Sequence, residues 1–592
     1  MRAIRRVYGS VRIDRLRTPG RPGRAFGPPA PMRLARTAAT VSLTLALGVS
    51  ATEHDGVDDV LLQAMRDELR RSVTSLSMED MDKPYFLAYR VDEVEGFRVS
   101  ARFGALDQSS ASKRRSLSVE LRVGNPMFDN SNFLSGYSGT GGSATLPLDD
   151  DYDELRRQLW LATDSAYKNA HRRLAGKRAA LQNRTREAIP DFGWADPLEA
   201  FDMADATTWR VGDAESLART LSALFKETPG VHESRVQAEK ENRRTYYVNS
   251  EGTSYVQVTP WAQLRAWAKT QADDGTILTD SEVFNVRSEP LPDRKVLRGR
   301  VLALAEALSV RRDTEPFDRY SGPMLFEGQA AAELFASVFA SRLVAVRVPD
   351  AAGSRYERAA VAARNPFADK IGARVLPRFL KVRDDPSLAE YGEHRLHGSY
   401  PFDDDGVPAG PTVLVERGRL RTLLTTRTPI EGIPGSTGNR RGIAPVPSNL
   451  IVSTEDGLSE DELRAEFVAL IHERGNAFGV AVRRLRGSSV VQAAMVYPDG
   501  REAPIRKAEL SGLSAATFKD IVAVSKASHV HTVRFPTSRT SILWQTSAVF
   551  GSPRYDAIGS IVLPDLLIEE ATLRKPLGNS PRPPVVAHPF FE

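Results

Sequence analysis

None of the 592 residues is a cysteine. That absence constrains the fold before any motif is read. No disulfide can staple a small or loop-rich unit, so each domain must be held by its own apolar core. Thiolate chemistry is excluded as well: no cysteine nucleophile, no zinc–cysteine site, no redox pair. A chain of this length exceeds what one core can organise, and two or three domains are expected. Hydrophobic residues at 41% and charged residues at 26% fit a globular chain. No apolar run reaches the roughly 18 residues that a membrane-spanning helix needs.

The net charge of +5 is unevenly placed. Residues 1–51 hold ten Arg, no Lys and one acid, Asp14, a net of +9, which leaves about −4 for residues 52–592. The remainder therefore carries no nucleic-acid footprint, and no nucleic-acid partner is expected. Met32 is followed by Arg33 and Arg36, a short apolar run "TAATVSLTLALGV" and a small-residue end at Ala51. That order describes a secretory signal, with residues 1–31 an upstream mis-start and Met32 the true initiator. The expectation is export to the periplasm or the extracellular space.

Along the chain, residues 52–75 place Val60, Leu61, Met65, Leu69 and Val73 at helical spacing. "PYFLAYRVDEVEGFRVSARFGAL" and "SKRRSLSVELRVG" alternate and predict three or four antiparallel strands. Residues 125–150, rich in Gly, Ser and Asp, predict a mobile loop. Residues 151–188 predict the longest helix, acidic at its start and basic at its end. Helices are also expected at 214–227, 294–312, 328–345 and 459–474. Hairpin turns are expected at "NSEG" (249–252) and "DDG" (273–275). A boundary falls near 315–323. The fold class is α+β: a mixed sheet-and-helix domain over 52–315, a strand-rich domain over 322–575 and a Pro-rich tail at 576–592.

Several blocks, taken in order, resemble the TldD/PmbA family of metallopeptidase-related proteins. "GSYPFDDDGVPAGPTVLVERGRLRTLLTTRTPIEGIPGSTGNRRG" resembles the family's acidic turn, strand pair and STGN-R-R loop, and "GPMLFEGQAAAELFA" (322–336) the segment bearing the metal site in catalytic members. "WLATDSAYKNA" (160–170) resembles a helix of extended, exported members. The likeness covers roughly residues 55–575. The family's catalytic branch binds zinc through an HExxxH helix and a downstream Cys. Here the matching stretch "FEGQAAAELF" offers Glu327 and Glu333 and no His. The resemblance is therefore to the PmbA-like (TldE-like) branch. It implies a subunit with no cofactor of its own, paired with a TldD-like, zinc-bearing subunit and handling peptide or unfolded protein. The alternatives are an active metallopeptidase with a divergent metal site, and a non-enzymatic peptide-binding or scaffolding homodimer of the envelope.

Within the STGN-R-R loop, Gly435, Ser436, Thr437, Gly438 and Asn439 are expected to line substrate, with Arg440 and Arg441 placed to clamp a carboxylate or carbonyl. A P-loop reading fails because no Lys follows. A replacement metal site would use His394, His397 and Asp403, although Gly398 and Pro401 argue against the helix that such spacing needs. His529 and His531 share one face of a strand and read as solvent-facing. His472 and Glu473 imitate HExxH, but Asn476 stands where the second His belongs. There is no GxSxG elbow.

Overall fold

A computed structural model describes residues 59–135, 142–184, 188–203, 205–362, 364–433, 435–536 and 556–576, with positions 581, 584 and 586 of the tail. The signal segment expected at 32–51 lies outside the described residues.

Alternating polarity over residues 86–122 produces one long hairpin rather than three or four strands. Phe86–Arg102 and Ala105–Arg122 pair throughout. The turn is only Phe103 and Gly104, whose φ values of 46° and 82° match the right-handed strand twist. These two strands lie within a seven-stranded sheet ordered Ile277–Val286, Ser254–Gln271, Glu233–Asn249, Phe86–Arg102, Ala105–Arg122, Ser143–Leu146, with Glu199–Met203 parallel on Ser254–Gln271. The turns at 249–252 and 273–275 make the hairpins, and Asn249 Oδ1 accepts from the amides of Glu251 and Thr253.

Strand parity divides the work of this sheet. Leu87, Tyr89 and Val91 face the helices Val60–Ser75 and Tyr152–Leu181. Val99 and Ala101, further along, face Val211–Ala223 and Arg294–Arg312. Phe86 and Ala88 point the other way, into a cluster with Tyr247, Tyr255 and Phe402. One face is thus covered by helices and the other docks the second half of the chain.

Two expected features change here. Helix 151–188 ends at Leu181, after Asp151 has capped its start by accepting from the Glu154 amide at 2.8 Å. The stretch expected as a mobile loop is pinned at residues 129–134, all buried. Asp129 accepts from Arg122 at 2.9 Å and from the Tyr85 hydroxyl at 2.6 Å, so its polar composition is satisfied internally rather than by water.

The second sheet has eleven strands and starts at Arg319, slightly ahead of the expected 322. Arg319–Phe326 pairs in parallel with Gly479–Arg486 and antiparallel with Asp556–Arg574, closing that part of the sheet on itself. The largest apolar core fills it. The helix expected over 328–345 is broken. Gln329–Leu334 is α-helical, Phe335–Phe339 widens into a π-helical turn, and Ala340–Arg342 tightens again. Gly328 supplies no side-chain cap, and the widened turn accommodates Phe335 and Phe339 against Phe518, with ring centroids 5.8 and 5.1 Å apart. Among the described residues no helix is long and apolar enough to cross a membrane.

Candidate functional site

The helical run beginning at Gln329 follows a strand end where Glu327 is held by Arg483 Nε at 2.8 Å. Burial nonetheless lifts the Glu327 carboxyl above its usual range. Glu333 accepts from Gln329 Nε2 at 2.9 Å and the Leu485 amide at 2.5 Å, both neutral donors, and burial pushes it up to about 7. The run from 329 to 342 carries no His. Beside it stands Asp565, whose Oδ1 accepts from the Gly328 amide at 2.6 Å and lies 3.1 Å from His529 Nε2.

That pairing corrects the solvent-facing reading of His529, which is 8% exposed and raised by Asp565 against the cost of burial. His531 is pushed down to about 4, first by burial and then by His529. His472 and Glu473 are exposed at the end of Glu460–Glu473.

The three residues of the alternative metal site are separately employed. His394 sits in a short hairpin with Tyr391. His397 spends both ring nitrogens, Nδ1 on Thr532 Oγ1 at 2.8 Å and Nε2 on Glu289 Oε1 at 2.9 Å. Glu289, despite partial burial, is held down at about 2 by that bond. Asp403 is buried, with Oδ1 accepting from the amides of Asp405 and Val407 and Oδ2 from the Arg440 amide. Burial, then the neighbouring Asp405, pushes it up to about 7. Among the described residues no three His, Cys, Asp or Glu side chains gather in a metal-holding group.

The acidic turn and the STGN-R-R loop, in contrast, come together with the first sheet. Asp404 meets Arg90 at 3.1 Å, and its carbonyl accepts from the Tyr255 hydroxyl. Arg440 ion-pairs with Asp405 and reaches Glu120 Oε2 at 2.9 Å. Burial opposes ionisation of Glu120, but Arg440 and Arg122 hold it down at about 2. Arg441 lies 3.5 Å over the Tyr400 ring and 3.4 Å from Asp404. Asn439 is fully buried and donates to Asp384 at 2.8 Å. Thr437 exchanges bonds with Thr425, whose hydroxyl also donates to the Gly435 carbonyl, while Ser436 Oγ accepts from the Gly438 amide. The two arginines expected to clamp a ligand are engaged by the chain's own carboxylates, and the loop is one half of an interdomain joint.

Sequence reasoning missed the other half. A small cleft between the two halves of the chain is lined by Arg122, Arg347, Arg427, Arg440, Asp405 and Phe192, among others. Two guanidiniums lie over the Phe192 ring, Arg122 at 3.8 Å and Arg427 at 4.1 Å from its centre. Arg427 donates through Nε and Nη2 to the Gly193 carbonyl and through Nη2 to Glu251. The only local signal was Arg427 itself, an arginine between threonines just ahead of the Gly-rich loop.

A mainly antiparallel sheet carrying helices on one face, docked through paired turns onto a strand-rich second domain, defines a two-part α+β chain. Residues 320–575 match the PmbA/TldA metallopeptidase C-terminal domain. Over residues 320–575 the chain therefore carries a domain of the TldD/PmbA family. It is 32% identical over 161 residues to a metalloprotease of Methanothermobacter thermautotrophicus, covering 26% of this chain and 34% of that one. It is 34% identical over 114 residues to a metalloprotease of Archaeoglobus fulgidus, covering 18% and 25%. The matched stretches thus span about a third or less of these relatives' lengths. The crystal structure of TldE from Thermococcus kodakarensis shares the fold at a TM-score of 0.53 and 14% identity, covering 86% of this chain and 99% of that one.

Proposed function

We propose that this chain is a TldD/PmbA-family subunit without a zinc site of its own, which binds peptide or unfolded protein and completes the cavity of a zinc-bearing, TldD-like partner. One observation carries the reading: the helical run after Arg319–Phe326, where the family resemblance puts the metal helix, has no His, and the chain has no Cys. A zinc site needs about three such protein ligands. The engagement of both His397 nitrogens supports the same reading, because it leaves the alternative pair His394 and His397 with one ring at most. Export belongs to the proposal on the strength of the segment Met32–Ala51.

The test is metal content and company. The purified chain is expected to hold no stoichiometric zinc by mass spectrometry, to hydrolyse no peptide alone, and to co-elute with a co-expressed, HExxxH-bearing family member from the same genome. Stoichiometric zinc with peptide hydrolysis by the chain alone overturns the proposal, and so does a homodimer that excludes the family member.

A further inference from the structure

The two halves of the chain meet a second time, where strand Ile277–Val286 of the first sheet reaches Gly479–Arg486 of the second. Arg484 there is matched by Asp280 at 2.9 Å and Glu282 at 2.7 Å. Two residues on, Arg486 is exposed and donates only to hydroxyls, Thr279 Oγ1 at 3.3 Å and Ser281 Oγ at 3.1 Å. Arg534, exposed on Ile521–Pro536, lies 4.4 Å over the Trp261 ring. Arg265, on the same strand as Trp261, is half-buried: its Nε is sealed in, and its two Nη groups are open to solvent. Among the described residues, none of Arg265, Arg486 and Arg534 has a carboxylate within ion-pair distance. Burial, then Arg486 and Arg534, pull the Arg265 guanidinium below its usual range. Glu239 opposes this but is bonded to Arg98 at 2.8 Å. A half-buried cation facing two like charges is a cost that the fold leaves unrelieved.

The register sets these charges in a row. Strand parity puts Trp261 and Arg265 on one face of Ser254–Gln271, away from the helices that cover Leu264 and Ala266. Val283 stands opposite Arg265, while Ser281 and Thr279 stand opposite Trp267 and Lys269. Arg534 therefore marks one end of the row, Arg265 its middle and Arg486 the other end. At about 3.3 Å per residue, Trp261 and Arg265 are about 13 Å apart along the strand. Val283, 41% exposed, leaves the face open beside Arg265. Lys269 adds no free charge, because it holds Glu233 at 2.6 Å.

A row of cations without carboxylates of its own calls for an anionic partner. An extended peptide presents alternate side chains to one face about 7 Å apart, so Asp or Glu at every second or fourth position meets such a row. A nucleic-acid strand fits less well. It carries a charge at every nucleotide, and the row is set in a region, residues 52–592, whose charges sum to about −4. We propose that Arg265, Arg486 and Arg534 form a recognition track for acidic side chains, which selects extended peptides carrying Asp or Glu on one face. The inference rests on the peptide-binding reading above and adds to it the class of peptide.

The test follows the anisotropy of end-blocked, fluorescein-labelled peptides with the full chain, alternating Glu and Ser against alternating Gln and Ser. The acidic peptide is expected to bind about tenfold tighter at low salt and to lose most of that preference at high salt. Arg265→Gln is expected to remove most of the preference and to leave the neutral peptide within about twofold. Arg486→Gln and Arg534→Gln, both changes at exposed positions, are each expected to weaken the acidic peptide about threefold. Arg219→Gln removes an equal charge from the exposed side of Val211–Ala223 and is expected to leave the preference intact. Equal binding of the two peptides, an Arg219→Gln effect as large as that of Arg265→Gln, or tighter binding of an oligothymidylate of the same length overturns the track. Binding of the neutral peptide then keeps the peptide-binding reading standing. Should neither peptide bind, that reading falls, and this inference with it.

Discussion

Two carboxylates, one buried and one half-buried, show how differently the two halves of the molecule treat charge. Glu120, at the interdomain joint, is held at about 2 because Arg440 and Arg122 flank it. Glu333, in the helical run where the family resemblance puts a metal site, is pushed up to about 7 by burial, with neutral hydrogen-bond donors, Gln329 and the Leu485 amide, in place of a directly paired arginine. The first is an ion in a matched cage. The second is a carboxyl on a helical turn whose flanking residues, Ala332, Leu334 and Phe335, belong to the apolar core. The joint gives its buried carboxylate two arginines, whereas most of the helical run is built into an apolar core.

The contrast breaks most visibly if the cage is opened. Arg440→Ala leaves Glu120 and Asp405 buried without their shared cation, and removing one partner of a buried pair costs about 3–5 kcal/mol. A correspondingly large fall in the urea midpoint is expected. A loss below about 1 kcal/mol, typical of exposed pairs, would mean that the joint is wet and its pairs contribute little.

For Glu333 the expected effect is smaller and depends on pH. Its folded pKa of about 7 exceeds the ordinary value of 4.5, so the folded state holds the proton more tightly than the unfolded one. Stability attributable to this group is therefore intact below pH 4.5, declines as pH rises through that window, and is lost above 7. Glu333→Gln stays neutral and can keep both bonds if Gln329 turns its amide. The variant is expected to match the parent at pH 4.5 and to exceed it by about 2–3 kcal/mol at pH 8. Urea titrations at the two pH values measure this, and a difference independent of pH would refute it.

Much of the scaffold was legible because helix signals are local. Arg294–Arg312 fell at the expected residues, with Asp293 accepting from the Lys295 amide at its start and two arginines in its last turn. The hairpins at 249–252 and 273–275 were legible from their turn residues. Residues 129–134 were not, because Asp, Asn and Ser look the same in sequence whether water or Arg122 satisfies them. The joint was half legible. Its acidic turn and its Gly-rich loop stood out, but the partner of Arg440 is 320 positions away in an ordinary alternating strand. Arg427 and Phe192 make a pair only after both domains are folded, and no periodicity announces a contact of that kind.

The smallest effect expected comes from the glycines of the loop, and it separates backbone conformation from packing. Gly435 and Gly438 both have φ in the left-handed region, 62° and 69°. A methyl group on Gly435 would meet nothing within 4 Å, whereas one on Gly438 would stand 2.5 Å from the Pro408 carbonyl oxygen, across the acidic turn. Gly435→Ala should therefore cost only the left-handed conformation, about 1 kcal/mol. Gly438→Ala should cost that and a collision, about 2 kcal/mol in all, because the Pro408 backbone must move and Asp403–Asp405 move with it. The second variant alone should loosen the joint, read as faster amide exchange at Arg440, whose N–H bonds to Asp403. Equal losses in the two variants would show that the turn and the loop do not press on each other, and the joint would then be held by its ion pairs alone.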